Sequence, residues 1–177
     1  MDEDDKFAIL PYFWIPEDTL ELRVRRDHVP YDIWERQGFL QTTEGNVVHY
    51  GYIEKFIEQL GERFNIREIA FDRWGAVQMV QNLEGMEFTV VPFGQGFKDM
   101  SPPTKELMKL TLEQKLAHGG HPVLRWMMDN IFIRTDPAGN IKADKEKSTE
   151  KSDGAIATII GLDRAIRCGN MNTESVY

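Results

Sequence analysis

The sequence predicts an α/β fold, with strands alternating with helices, and three observations carry that expectation. Runs rich in β-branched and aromatic residues recur at residues 7–15, 66–71 and 88–93. Amphipathic runs at helical spacing stand between and after them, at residues 50–64, 76–83 and 101–116. Repetition of strand, polar turn and helix implies parallel strands joined by crossovers and covered by helices.

Taken in order, residues 7–15 are dense in Phe, Ile, Tyr and Trp without alternation and stop at Pro16. That is the pattern of a strand buried on both faces. Residues 16–46 are mixed and carry Arg23, Arg25 and Arg26; within them, Pro30 near the start and Gly38 just past the end mark a short helix. Tyr52, Ile53, Phe56, Ile57 and Leu60 share one helical face, and this helix is expected to close near Gly61. Residues 66–71 form a strand pattern that runs into the turn Asp72-Arg73-Trp74-Gly75 before helical spacing resumes at residues 76–83. Residues 88–93 repeat the strand, Gly94-Gln95-Gly96 turns, and Ser101-Pro102-Pro103 opens a helix through Leu107, Leu110 and Leu116. Pro122 starts another helix to Asn130, and residues 131–142 predict a hairpin turning at Asp136-Pro137-Ala138-Gly139-Asn140. A polar loop at residues 142–151 leads to an Ala-rich helix at 153–166, which ends at Gly169.

Composition bounds the function. A chain of 177 residues argues for one compact domain. Its 21 Lys and Arg against 29 Asp and Glu give a net charge of −8. This argues against a small basic module held to nucleic acid by bulk electrostatics, while leaving room for DNA at one local site. The single cysteine, Cys168, excludes an internal disulfide and multi-cysteine zinc or iron–sulfur sites, and it suits a reducing, cytosolic compartment. The acidic start Met1-Asp2-Glu3-Asp4-Asp5 is the opposite of a signal peptide, and no apolar run approaches the ~20 residues that span a bilayer.

Two carboxylates are the candidate chemistry. Asp72 stands where a strand emerges into a turn, the end at which open α/β sheets bind ligands. It is either a metal ligand or a cap of the following helix. Asp153 opens the last helix, where a capping role is the ordinary one. The pair alters the weighing, because a strand-end and a helix-start carboxylate facing each other attract a hard divalent cation. Lys142, Lys145, Lys147 and Lys151 precede Asp153 and are either phosphodiester contacts or a solvated loop. His118 and His121 lack the spacing and the intervening Glu of a zinc-protease helix. No dinucleotide fingerprint, P-loop or nucleophile elbow is present, and Cys168 reads as packing.

The segments Phe7-Ala8-Ile9-Leu10-Pro11-Tyr12-Phe13-Trp14-Ile15-Pro16-Glu17, Ile69-Ala70-Phe71-Asp72-Arg73-Trp74-Gly75-Ala76 and Lys151-Ser152-Asp153-Gly154-Ala155-Ile156-Ala157 together resemble a known family. So do Phe93-Gly94-Gln95-Gly96 and the helix start Ser101-Pro102-Pro103-Thr104-Lys105. That family is the C-terminal nuclease domain of the large terminase subunits of tailed bacteriophages and prophages. The resemblance runs from Phe7 to about Asn170. It implies a ribonuclease-H-like mixed sheet flanked by helices, over a nuclease domain at residues 1–170 with a polar tail at 171–177. It also implies a hydrolase that uses Mg²⁺ or Mn²⁺ to cut concatemeric double-stranded DNA during packaging, in the bacterial host cytoplasm. Asp72 would be the strand-end metal ligand and Asp153 the helix-start ligand, and Arg73 joins the four lysines as a DNA contact. The portal and the small terminase subunit are the implied partners, and no membrane is involved.

The family's first acidic residue lies on a strand upstream of the one that begins here at Phe7, and an ATPase domain precedes it. The expectation is therefore a nuclease domain whose first strand is missing, with residues 1–5 read as the turn after it. Two functions follow: a metal-dependent endonuclease, or a catalytically inactive remnant that only binds.

Overall fold

The computed structural model describes residues 6–72, 77–144, 147 and 151–169. Strands and helices alternate as the sequence pattern requires, but the strands pair as four two-stranded ladders. The expected strand at residues 7–15 is two short ones, β1 (Phe7–Ala8) and β2 (Trp14–Pro16). Pro11 interrupts them, because its nitrogen has no hydrogen to give to a ladder. After a single 3₁₀ turn come α1 (Leu20–Asp27), which holds the Arg-rich run, and α2 (Tyr31–Arg36), the short helix marked by Pro30. β3 (Gln41–Thr43) pairs in parallel with β2.

α3 (Tyr50–Arg63) continues through Gly61 instead of closing there. A Cβ on Gly61 would stand 3.0 Å from the Phe88 ring, so the glycine admits an aromatic side chain against the helix. β4 (Ile69–Asp72) and β5 (Val90–Phe93) form the longest parallel ladder, with Asp72 opposite Phe93, and α4 (Val77–Gly85) lies between them in sequence.

α5 (Phe97–Leu112) begins four residues before the predicted Ser101 and keeps Pro102 and Pro103 inside it. Met100 N donates to Gly96 O at 3.0 Å, so the first turn closes ahead of the prolines. Ser101 Oγ accepts from Ile141 N at 3.1 Å and ties this helix to a later strand. The helix stops at Leu112, short of the predicted Leu116, where Gln114 takes a left-handed φ of 58°. Leu116 instead enters β6 (Leu116–Ala117), paired in parallel with β1. α6 (Pro122–Asp129) and the hairpin β7 (Ile133–Thr135) with β8 (Ile141–Ala143) follow as predicted. α7 (Asp153–Cys168) is the last described element.

Two clusters make the core. Ile156, Ile159 and Ile160 repeat on one face of α7 and bury against Met100, Leu107 and Leu110 of α5. Tyr31 and Trp34 of α2 pack with Ile15, Val123 and Met127, and Trp126 meets both aromatic rings at 5.8 and 5.7 Å. No described helix is long and apolar enough to cross a membrane.

Candidate active site

β4 and α7 bring the two predicted carboxylates to one place. Asp72 is the last residue of β4, half-buried, with its Oδ1 removed from solvent. Asp153 is the first residue of α7, and its side chain is exposed. The capping position there belongs to Ser152, whose carbonyl accepts from Ala155 N and Ile156 N at 3.1 Å. Asp72 and Asp153 line one cleft of about 570 Å³, between β4, α7 and β1, and Asp153 stands in the first turn of α7, where a carboxylate also suits the helix dipole.

Packing fixes where Asp153 sits. Gly154 N donates to Met127 Sδ at 3.1 Å, and a Cβ on Gly154 would stand 2.6 Å from Phe13 Cε1. Only glycine lets the first turn of α7 press this closely on α6 and the chain before β2. On the other side, the ladder to β5 fixes Asp72. Beyond Phe93 the turn holds Gln95, whose Nε2 is buried without a hydrogen-bond partner among the described residues.

Arg67, Glu68 and Arg164 also line the cleft and were not singled out by sequence, and Cys168, read from the sequence as packing, lies there too. Arg164 Nε donates to Glu68 Oε2 at 2.6 Å. The guanidinium holds the Glu68 carboxyl below its ordinary range, and Glu68 raises Arg164 in return. The available signal was spacing: Arg164 lies eleven residues after Asp153, three helical turns on, and so on the same face of α7.

Of the predicted DNA-contacting cations, the described Lys142, Lys147 and Lys151 are not in the cleft lining. Lys142 Nζ lies 5.0 Å over the Phe97 ring and Lys147 Nζ 5.3 Å over Phe132. Lys151 is exposed just before α7, its carbonyl accepting from Asn130 Nδ2 at 3.1 Å. Arg73 and Lys145 lie outside the described residues, as does the tail at 171–177. His121 caps α6 through Nδ1, which accepts from Leu124 N at 3.5 Å, and His118 Nδ1 accepts from Gly120 N at 3.1 Å. These bonds give both imidazoles structural work. Among the described residues no group of three or more His, Cys, Asp and Glu side chains is placed to hold a metal ion.

Known proteins resemble the chain along most of its length. Residues 1–168 match the family model "Terminase large subunit, endonuclease domain". The terminase large subunit of Enterobacteria phage HK97 is 39% identical over 165 residues, which cover 92% of this chain and 33% of that protein. Protein YmfN of Escherichia coli strain K12 is 29% identical over 166 residues, 90% of this chain and 36% of that protein. The chain spans about one third of the length of these curated relatives. The crystal structure of the HK97 large terminase superposes with a TM-score of 0.84 at 38% identity, covering 92% of this chain and 34% of that one. The large terminase nuclease of thermophilic phage G20c reaches 0.53 at 12% identity over 68% of this chain and 64% of that one, a likeness of fold alone. With a ribonuclease-H-like α/β fold of this kind and a family match along nearly all of its length, the chain belongs to the endonuclease-domain family of phage terminase large subunits.

Proposed function

We propose that the chain is a divalent-metal-dependent endodeoxyribonuclease domain that cuts concatemeric viral DNA during genome packaging. The observation that carries this reading is the convergence of Asp72 and Asp153, remote in sequence, on one cleft. Their donor set fits Mg²⁺ or Mn²⁺, since Mg²⁺ is ordinarily held by one or two carboxylates and completed by water and substrate phosphate oxygens. Such a cation supplies charge against the phosphoryl and leaving-group oxygens and lowers the pKa of the attacking water. Asp72, fixed by the β5 ladder, sets the position of the scissile phosphate. Asp153 completes the anionic pair from the start of α7.

Lys142, Lys147 and Lys151, with Arg73 and Lys145, would neutralise phosphates away from the cut. As point charges on backbone phosphates, they position DNA without reading its sequence. By family, the partners are double-stranded DNA, the portal and the small terminase subunit, and the compartment is the cytoplasm of the bacterial host. The domain assignment of residues 1–170, with 171–177 as a tail, belongs to the same proposal.

A second reading, a domain that binds DNA or the portal without cutting, is favoured by the small number of carboxylates described at the site. Supercoiled plasmid incubated with Mn²⁺ separates the two. Slow nicking that Asp72→Asn and Asp153→Asn each abolish is the expected result. Plasmid retention without nicking would leave the binding reading, and nicking indifferent to both substitutions would remove the site assignment.

A further inference from the structure

The hairpin β7–β8 has an inner and an outer face. Ile133 stands opposite Ala143 and Thr135 opposite Ile141, and Ala143 is buried in the core cluster that holds Met100 of α5, so this set faces inward. Side chains alternate along a strand, which turns Arg134 and Lys142 outward as a directly opposed pair. Asp144 N donates to Phe132 O at 2.8 Å and adds one more rung, so by the same alternation Phe132 and Asp144 share the outer face.

An arginine directly across a ladder from a lysine is a destabilising pair, since like charges repel at that spacing. The nearby acids do not resolve it. Asp136, at the turn, accepts from Asn140 N and Nδ2, both at 2.8 Å. Asp144 accepts from Lys147 N at 3.3 Å, and its Oδ2 lies 4.0 Å from Arg134 Nη1, beyond hydrogen-bond reach. The lysines are held another way. Lys142 Nζ over Phe97 and Lys147 Nζ over Phe132 each rest on an aromatic ring, which steadies an ammonium without cancelling its charge. Part of the side-chain freedom that an arriving anion would have to freeze is thereby already lost.

Three positioned cations at one outward face, in a chain of net charge −8, make a local anion site and not part of a general basic coat. We propose that the outer face of the hairpin, Arg134 with Lys142 and Lys147, binds the phosphodiester backbone of DNA beside the cut. The planar Arg134 fork takes two oxygens of one phosphate, and the two ammonium groups meet neighbouring phosphates as point charges. Asn130 Nδ2 donates to Lys151 O at 3.1 Å, which ties the foot of the hairpin to a residue two before Asp153 and so sets this face next to the site of the cut. Contacts of this kind position a strand and carry no sequence information. The choice of DNA as the polyanion rests on the nuclease reading, whereas the face itself includes neither Asp72 nor Asp153 and needs no metal.

The test measures binding of a short fluorescent DNA duplex to the full chain, without metal, over a range of salt. Arg134→Gln and Lys142→Gln should each weaken binding about fivefold, equally for unrelated sequences, and each should flatten the slope of log affinity against log salt by about one. Arg134→Lys keeps the charge without the fork, so it should keep the wild-type slope while binding more weakly. Neither residue is buried, and all three variants should keep the wild-type melting temperature. Arg25→Gln, in an exposed α1 ion pair with Glu21, controls for net charge and should leave binding unchanged. The proposal is overturned if the wild type does not bind, if both glutamine variants bind with wild-type affinity and slope, or if Arg25→Gln weakens binding as much as they do. It is equally overturned if, at matched ionic strength, polyglutamate or inorganic phosphate displaces the duplex, which would make the occupant an acidic peptide or a single phosphate. Plasmid nicking with Mn²⁺ is read separately. Binding through the hairpin without any nicking removes the nuclease reading and leaves this one, and nicking with unaltered binding in both glutamine variants does the reverse.

Discussion

The Arg164 guanidinium and the Glu68 carboxylate meet at 2.6 Å and join α7 to the segment that leads into β4. These are the two elements that carry Asp153 and Asp72. Arg164 lies about 16 Å along the helix axis from Asp153, so the ion pair holds strand and helix together well away from the carboxylates. Its side chains are 24% and 21% exposed, sheltered enough to persist at ordinary ionic strength.

Arg164→Met should therefore lower the melting temperature modestly, and Glu68→Gln combined with it should cost less than the two single changes added together. The sign with pH follows from the lowered Glu68 carboxyl. Its contribution is full above the ordinary glutamate range and is lost as pH falls through the folded value. Melting curves of the wild type should show this acid loss, and those of Arg164→Met should show less of it.

Metal binding should appear as stability. A cation held by Asp72 and Asp153 in the native state alone would stabilise by about 2.7 kcal/mol at a concentration 100 times its Kd. Titrating Mg²⁺ or Mn²⁺ against the melting temperature measures this. Either Asp72→Asn or Asp153→Asn should flatten the response, and an unchanged response in both variants would take the cation elsewhere.

The two glycines of α7 should respond in opposite directions. Gly154→Ala drives a methyl into Phe13 and Met127 and should cost about 1–3 kcal/mol, with loss of any cleavage that depends on the neighbouring Asp153. Gly161→Ala meets open space and should stabilise the free chain by about 1 kcal/mol. Urea denaturation of both variants checks the contrast.

His121 should set a second pH dependence. Burial penalises its imidazolium and lowers its pKa from the ordinary 6.5. A group depressed in this way stabilises above the unfolded value and ceases to do so as pH falls through the folded one. Wild-type stability should accordingly decline as pH drops below 6.5. His121→Asn, which can still cap α6, should remove that limb of the profile.

Ile159→Ala, at a side chain only 1% exposed in the core between α5 and α7, should cost about 2–5 kcal/mol by transfer and cavity terms. An effect below 1 kcal/mol in denaturant titration would show that this interface is loosely packed.

What was legible in the sequence was what depends on neighbours along the chain. The spacing of Ile156, Ile159 and Ile160 gave α7, Pro30 gave α2, and the Asp136–Asn140 turn gave the hairpin. The positions of Asp72 at a strand end and Asp153 at a helix start were legible because these are local features. Leu116 was misread because its partner is Phe7 at the other end of the domain, and a two-residue strand has no period of its own. Glu68 and Arg164 were passed over for the same reason, since a Glu and an Arg in ordinary solvated runs become a pair only once β4 lies beside α7.

The place of α7 at the downstream end of the described chain governs timing. A ribosome adds roughly 5–20 residues each second, so β4 emerges several seconds before the helix that completes its cleft. Until then Met100, Leu107 and Leu110 have no Ile159 to cover them, and the nascent chain offers apolar surface to chaperones. Under the proposed nuclease function, Asp72 would gain its counterpart Asp153 only once synthesis has reached α7.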